Sequence, residues 1–300
     1  MPLKIFLALL KTMRPKQWAK NGFIFAALIF DGQLWPLTPS TNLPAFLRTL
    51  GGFVLFCLLS STVYIINDLI DIEADRQHPK KRLRPLPSGQ LSKSVALVSV
   101  AVFLIIVFPL AYILKPEFAA VSLVYMVVNL AYSIWLKHIP ILDVMIIAGL
   151  YVLRVVAGVA LIHVARFSPW LYVFTIFLAL YLGVGKRRAE LNLLADAANM
   201  HRPVLEGYTI PLLDQLITIV TCLTITTYSL YTFTAPNLPT NHAMMLTIPF
   251  VIYGIFRYLY LIQVKQSGGA PEEVLFSDHP LQASIFLWGV SILIIFYVLM

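Results

Sequence analysis

Nine runs of roughly 20 apolar residues, divided by short polar breaks, restrict this chain to few folds. They lie at 18–37, 45–67, 94–114, 117–136, 141–163, 169–186, 210–234, 243–263 and 281–300. Each is long enough to cross a bilayer's hydrocarbon core as an α-helix, which needs about 20 residues at 1.5 Å each. In lipid every backbone N–H and C=O must be satisfied within the segment, so helices are the expected spanning structure. The expectation is an all-α polytopic membrane protein forming a single integral membrane domain over residues 1–300. With 59% hydrophobic residues and a mean hydropathy of +0.83, the chain has too little polar surface for a water-soluble globule.

The charge pattern sets an orientation. With the N-terminus inside, Lys4, Lys11, Arg14, Lys16, Lys20, Arg76, Lys80, Lys81, Arg82, Arg84, Lys93, Lys137, Lys186, Arg187, Arg188, Arg202 and Lys265 all fall on the inner side, 17 of the 22 Lys and Arg. Only Arg48, Lys115 and Arg166 fall on or near the other side, while Arg154 and Arg257 lie within spans. The positive-inside rule then predicts a cytoplasmic N-terminus and an outer C-terminus in the cell's inner membrane. Because the cations flank apolar runs, the net charge of +8 reads as a topology signal and argues against nucleic acid as a partner. Residues 1–17 read as an amphipathic helix on the cytoplasmic membrane surface, since the apolar run there is short and no small-residue cleavage site follows. Cys57 and Cys222 sit in apolar segments, where cysteine acts as a small hydrophobe. The long hydrophilic loops, 68–93, 187–209 and 264–280, all face the cytoplasm and should hold the chemistry.

The end of the second run carries the most specific pattern, Asn67-Asp68 followed by Asp71 and Asp75. On a helix Asp71 and Asp75 fall within about 60° of Asp68, with Tyr64 on the same stripe one turn earlier. Carboxylates that close repel, and a hard cation with oxygen ligands relieves the repulsion. Mg²⁺ held this way keeps positions for substrate phosphates, so the stripe reads as a diphosphate–metal site, with the Asn67 amide as a further oxygen. The basic run Lys80-Lys81-Arg82-Leu83-Arg84 follows and supplies the cations that a diphosphate also needs.

This arrangement, NDxxDxxxD over 67–75 with Lys81-Arg82 and Arg84-Pro85-Leu86-Pro87-Ser88-Gly89 behind it, resembles the UbiA superfamily of intramembrane prenyltransferases. The resemblance covers the whole chain and implies nine helices around a central cavity with an active site on the cytoplasmic side. Most members carry a second, DxxxD motif after the sixth span. Here the stretch is Gly185-Lys186-Arg187-Arg188-Ala189-Glu190-Leu191, running on to Arg202, with Asp196 its only aspartate. That cationic wall, Arg14-Pro15-Lys16-Gln17-Trp18-Ala19-Lys20-Asn21, Lys137 near Tyr132 and Asp143, and Arg154 near Ala157-Gly158 are similar to the branch that transfers 5-phosphoribose from phosphoribosyl pyrophosphate to decaprenyl phosphate, making a lipid-linked sugar for arabinan cell-wall synthesis.

The resemblance implies Mg²⁺ as cofactor, held by Asn67, Asp68, Asp71 and Asp75, with the three aspartates essential to turnover. It implies phosphate or substrate contacts from Lys20, Tyr64, Lys81, Arg82, Lys137, Arg154, Lys186, Arg187, Glu190 and Arg202. From the residues alone several of these keep a second reading. Lys137 also suits an interfacial anchor, Arg154, which shares a helix face with Asp143 so that both look into the cavity, also suits a structural internal ion pair, and Glu190 an orienting partner for Lys186. No histidine has metal-ligand spacing, and no GxSxG, Walker or Rossmann pattern occurs. Homo-oligomerisation is left open. Two other functions fit the same chain less well: a conventional prenyltransferase using a prenyl diphosphate and an aromatic or isoprenoid acceptor, and a transporter, against which stands the gathering of polar residues at one surface.

Overall fold

The computed structural model describes residues 2–33, 39–77, 81–164, 168–195, 203–236, 238–265 and 271–298. Among them every regular element is helical. The α-helices are α1 (Pro2–Met13), α2 (Ala26–Phe30), α3 (Pro39–Ile70), α4 (Ile72–Gln77), α5 (Lys93–Leu114), α6 (Pro116–Ile134), α7 (Leu142–Leu161), α8 (Pro169–Ala195), α9 (Ile210–Thr234), α10 (Ile248–Gln263), α11 (Pro271–Ser277) and α12 (His279–Tyr297). Among the described residues eight segments are long and apolar enough to cross a membrane: those on α3, α5, α6, α7, α8, α9, α12, and Ala243–Gln263 through α10. They match the second to ninth runs of the sequence.

The first run departs from expectation. Residues 18–37 do not form a continuous α-helix; a 3₁₀ helix spans Pro15–Phe25 and gives way to the five-residue α2, and 34–38 lie outside the described residues. Such a long 3₁₀ run is held by its side chains, because its own hydrogen bonds have poor geometry. Asn21 Nδ2 donates to Ser60 Oγ at 3.1 Å and to Cys57 Sγ at 3.3 Å, and Trp18 Nε1 donates to Ser61 Oγ at 3.0 Å. The loop expected from residue 187 also starts later, because α8 runs to Ala195: Lys186-Arg187-Arg188-Ala189-Glu190-Leu191 is strong helix-forming sequence.

The chain divides into two compact units. The first comprises Met1–Leu28, Pro36–Lys137 and Leu153–His163. Its central element is α3, against which α1, the 3₁₀ helix, α5 and α6 pack. Ala8 and Met13 of α1, Ile65 of α3, Ile72 of α4, Leu86 and Leu91 of the following loop, and Ala96 of α5 form one buried cluster. Leu97, Val98, Ile105 and Ile113 of α5 are exposed, as a membrane span requires of the face it turns to lipid. The second unit comprises Ile29–Trp35, His138–Val152 and Val164–Met300. Its main pairing is α8 with α9, tied by Arg188 Nε to Asp214 Oδ1 at 2.5 Å, and Tyr181, Tyr208, Leu213, Ile217 and Tyr258 lie in its core. Buried hydroxyls inside spans bond back to the carbonyl four residues earlier, as Thr49 to Ala45 and Thr224 to Val220, which satisfies them within their own helix.

Candidate active site

Two segments of the first unit bring its acidic and basic groups together. The last turn of α3 carries Asn67 and Asp68, and helical hydrogen bonds continue across the break into α4, from Asp71 N to Asn67 O (3.0 Å) and from Asp75 N to Asp71 O (2.8 Å). The loop after α4 then folds back on itself. Arg84 N donates to Lys81 O at 2.9 Å, Ser88 N to Arg84 O at 3.0 Å, and Leu91 N to Pro85 O at 2.9 Å. Gly89 closes the turn at φ +78°, a conformation costly for any residue with a Cβ. Because Leu86 and Leu91 are buried beside Ile65 and Ile72, this loop is anchored in the core and holds Arg84 against the acidic helix end.

The carboxylates are neutralised by four cations. Arg84 Nη1 lies 3.1 Å from Asp68 Oδ1 and 2.6 Å from Asp75 Oδ2, bridging two carboxylates that are almost fully buried. Arg14 Nη2 meets Asp68 Oδ1 at 2.5 Å, and its guanidinium lies over the Tyr64 ring, 4.9 Å from the centroid. Lys81 Nζ is 3.7 Å from Asp75 Oδ1. Lys137 Nζ meets Asp71 at 3.0 and 3.2 Å, and Asn67 Nδ2 donates to Asp71 Oδ2 at 3.3 Å. Three carboxylates against Arg14, Lys81, Arg84 and Lys137 leave one positive charge over, which favours anions.

The expected three-carboxylate convergence is therefore modified. Asp68 and Asp75 share Arg84, whereas Asp71 leans towards Lys137, and among the described residues no three of His, Cys, Asp and Glu gather closely enough to hold a metal by themselves. The physical reason is the cations, which offer each carboxylate a nearer counter-charge. The donor set still fits a hard divalent cation: all ligating atoms are oxygens, and Asp68 and Asp75 are close enough to bind one charged nitrogen jointly. Of the other expected contacts in this unit, Lys20 is half-buried on the 3₁₀ helix and Arg82 is exposed.

Arg154 forms a separate network. It is 5% exposed within the α7 span, with Nε donating to Asn21 Oδ1 at 3.0 Å and Nη2 to Tyr125 OH at 2.8 Å, its guanidinium also over the Tyr125 ring. Asp143 is not its partner. In the second unit Asp143, fully buried, accepts from Arg187 Nε at 2.7 Å and from Tyr208 OH at 2.6 Å, and the same Tyr208 oxygen accepts from Ile141 N at 2.6 Å. Burial and the bond to Asp143 push the Tyr208 phenol well above its ordinary pKa. Glu190 Oε2 meets Arg187 Nη1 at 2.6 Å, so Glu190 serves Arg187 instead of the expected Lys186, which is half-buried. Arg202 and Asp196 lie outside the described residues.

Sequence reasoning did not single out Arg14, Arg84 or Tyr208 as site residues. Arg84 stands in a run of similar cations; the signal setting it apart is the rigid Pro-Leu-Pro-Ser-Gly turn directly after it. Arg14 has a comparable signal, the following Pro15, which fixes where the chain turns into the 3₁₀ helix.

A match to the model of the UbiA prenyltransferase family extends over residues 23–290. The chain belongs to that family. As a member it is a multi-pass membrane enzyme of the transferase class. It is similar to a Mycobacterium tuberculosis protein named decaprenyl-phosphate phosphoribosyltransferase, 30% identical over 96% of this chain and 93% of the relative. A protein of the same name from Mycolicibacterium smegmatis is 32% identical over 96% of this chain and 92% of its own length. Among solved structures, a UbiA homologue from Archaeoglobus fulgidus bound to GPP and Mg²⁺ shares the fold, with a TM-score of 0.70 at 20% identity over 97% of this chain and all of the other.

Proposed function

We propose that this enzyme transfers 5-phosphoribose from phosphoribosyl pyrophosphate to a polyprenyl phosphate, with Mg²⁺, releasing pyrophosphate. The observation that carries the reading is near full-length similarity, at 30% and 32% identity, to relatives named for that transfer. The local chemistry agrees, because a site with surplus positive charge around buried carboxylates suits a substrate rich in phosphate. Asp68, Asp71 and Asp75, with Asn67, would hold the metal, which when bound supplies charge to stabilise the departing pyrophosphate. Lys81, Arg82, Arg84, Arg14, Lys137 and Lys20 bind and orient phosphate oxygens, and Tyr64 supports Arg14 from below. Lys186 and Arg202 are assigned to substrate phosphate on sequence resemblance; Arg187, Glu190 and Arg154 act from buried networks as struts.

The bond between ribose C1 and pyrophosphate oxygen breaks as a lipid-phosphate oxygen bonds to C1 with inversion. The acceptor is already an anion at neutral pH, so no general base is required, and catalysis rests on positioning and charge stabilisation. The product serves lipid-linked arabinose supply for the cell wall, made at the inner membrane with the N-terminus and the site on the cytoplasmic side and the C-terminus outside. The test is transfer of radiolabel from phosphoribosyl pyrophosphate into organic-extractable lipid by purified protein with polyprenyl phosphate and Mg²⁺, and its loss with chelator. Label transferred from a prenyl diphosphate instead would establish conventional prenyl transfer, a reading favoured by the GPP-bound archaeal neighbour.

A further inference from the structure

We infer that Arg14 and Arg84 occupy the divalent cation's place on Asp68 and Asp75 until a pyrophosphate-bearing substrate draws them away, which makes metal binding depend on substrate. The inference rests on the metal-dependent reading above, though not on which diphosphate is the donor. One nitrogen, Arg84 Nη1, is within hydrogen-bonding distance of both carboxylates, so a positive charge already sits on the oxygens a metal would use. A buried carboxylate needs such a counter-charge whenever metal is away, since an uncompensated buried charge costs several kcal/mol.

Mobility is divided in the way an exchange requires. The side chains of Asp68 and Asp75 are 2% and 3% exposed, whereas those of Arg14 and Arg84 are 28% and 29% exposed. The carboxylates are fixed, and the guanidinium groups have solvent to move into. Arg14 ends α1 in a left-handed backbone at φ 55°, ψ 63°, its N–H donating to Lys11 O at 3.3 Å and its carbonyl accepting from Gln17 N at 2.8 Å, so the helix end anchors its backbone. Its side chain meets the Asp68 carboxylate and the Tyr64 ring. A metal arriving alone must displace a bound guanidinium and leave it unpaired. With pyrophosphate present, the planar guanidinium of the displaced arginine finds phosphate oxygens it can bind bidentately. Metal and pyrophosphate therefore raise each other's affinity, as linkage demands.

The test measures Mn²⁺ bound to purified full-length protein by equilibrium dialysis, with and without inorganic pyrophosphate in both chambers. Substrate-free wild type should bind weakly, and pyrophosphate should tighten binding about tenfold or more, the usual scale of site-to-site coupling. Arg84→Gln should tighten substrate-free binding by a similar factor and lose most of the pyrophosphate effect. Lys93→Gln, which removes the same charge from an exposed position beside Glu73, should shift it less than about twofold. Equal substrate-free affinity in wild type and Arg84→Gln overturns the inference, as does wild-type binding that ignores pyrophosphate; the second comparison decides alone if the variant does not fold. Absence of Mn²⁺ in every arm overturns the inference and the metal assignment together, and label transfer from the donor remains a separate measurement.

Discussion

Replacing Gly158 with alanine should destabilise the protein, although the same change in an ordinary helix interior stabilises by up to about 1 kcal/mol. A Cβ at position 158 would lie 2.0 Å from the carbonyl oxygen of Ile24, 2.9 Å from its carbonyl carbon and 3.1 Å from its Cα. All three atoms are backbone of the 3₁₀ helix, so no rotamer change relieves the overlap and the segment must shift by about 1 Å. Overpacking of this kind costs about 1–3 kcal/mol, and a backbone obstacle places it at the upper end. Arg154 lies one turn earlier on the same face of α7 and donates to Asn21 of that segment at 3.0 Å, so the shift also strains a buried hydrogen bond to a charged group. Gly149, on the same helix, has nothing within 4 Å of its would-be Cβ and provides the control. Thermal unfolding of detergent-solubilised protein should place Gly158→Ala about 5 °C below wild type, at roughly 2 °C per kcal/mol for a chain this long, and Gly149→Ala at or slightly above it. A Gly158→Ala variant as stable as wild type would refute the close approach and, with it, the account of how the 3₁₀ helix is held.

Asp71→Ala should abolish label transfer while leaving expression and melting temperature nearly unchanged, because Asp71 is half-exposed and its partners, Lys137 and Asn67, are already near solvent; normal turnover would remove Asp71 from the site. Arg187→Met should cost about 3–5 kcal/mol, since it strands the buried Asp143 carboxylate, and Asp143→Asn less, because Arg187 keeps Glu190; an apolar double replacement should be less destabilising than their sum, and additive losses in a double-mutant cycle would contradict the ion pair. Asp278 caps α12 by accepting from Leu281 N at 2.9 Å and takes both Arg257 bonds, and the guanidinium holds its carboxyl below the usual carboxylate range. Its contribution is complete above the unfolded-state value near 4 and is lost as pH falls through the lower folded-state value. The melting-temperature gap between wild type and Asp278→Asn should therefore be constant from neutrality to about pH 4 and close in stronger acid; a gap that widened on acidification would reverse the sign.

The readable parts of this chain share a short range. Eight spans followed from apolar length alone, and Asp68, Asp71 and Asp75 followed from helical spacing over eight residues. What the sequence withheld was each charge's choice of partner. Arg14 and Asp68 are 54 positions apart and Arg187 and Asp143 are 44 apart, so no local period joins them. Asp143 and Arg154 illustrate the limit of helical geometry. They do share a face of α7, but eleven residues at 1.5 Å put them about 16 Å apart along its axis, too far to pair. Each is also too costly to bury alone, so each takes a partner from whatever element packs at its own height: Arg187 and Tyr208 for the aspartate, Asn21 and Tyr125 for the arginine. The first apolar run takes a 3₁₀ path for a related reason. Hydropathy registers that 18–37 is apolar but not that Asn21 and Trp18 spend their side chains on α3, and those long-range bonds are what hold the segment in a 3₁₀ path while placing Arg14 over the acidic helix end.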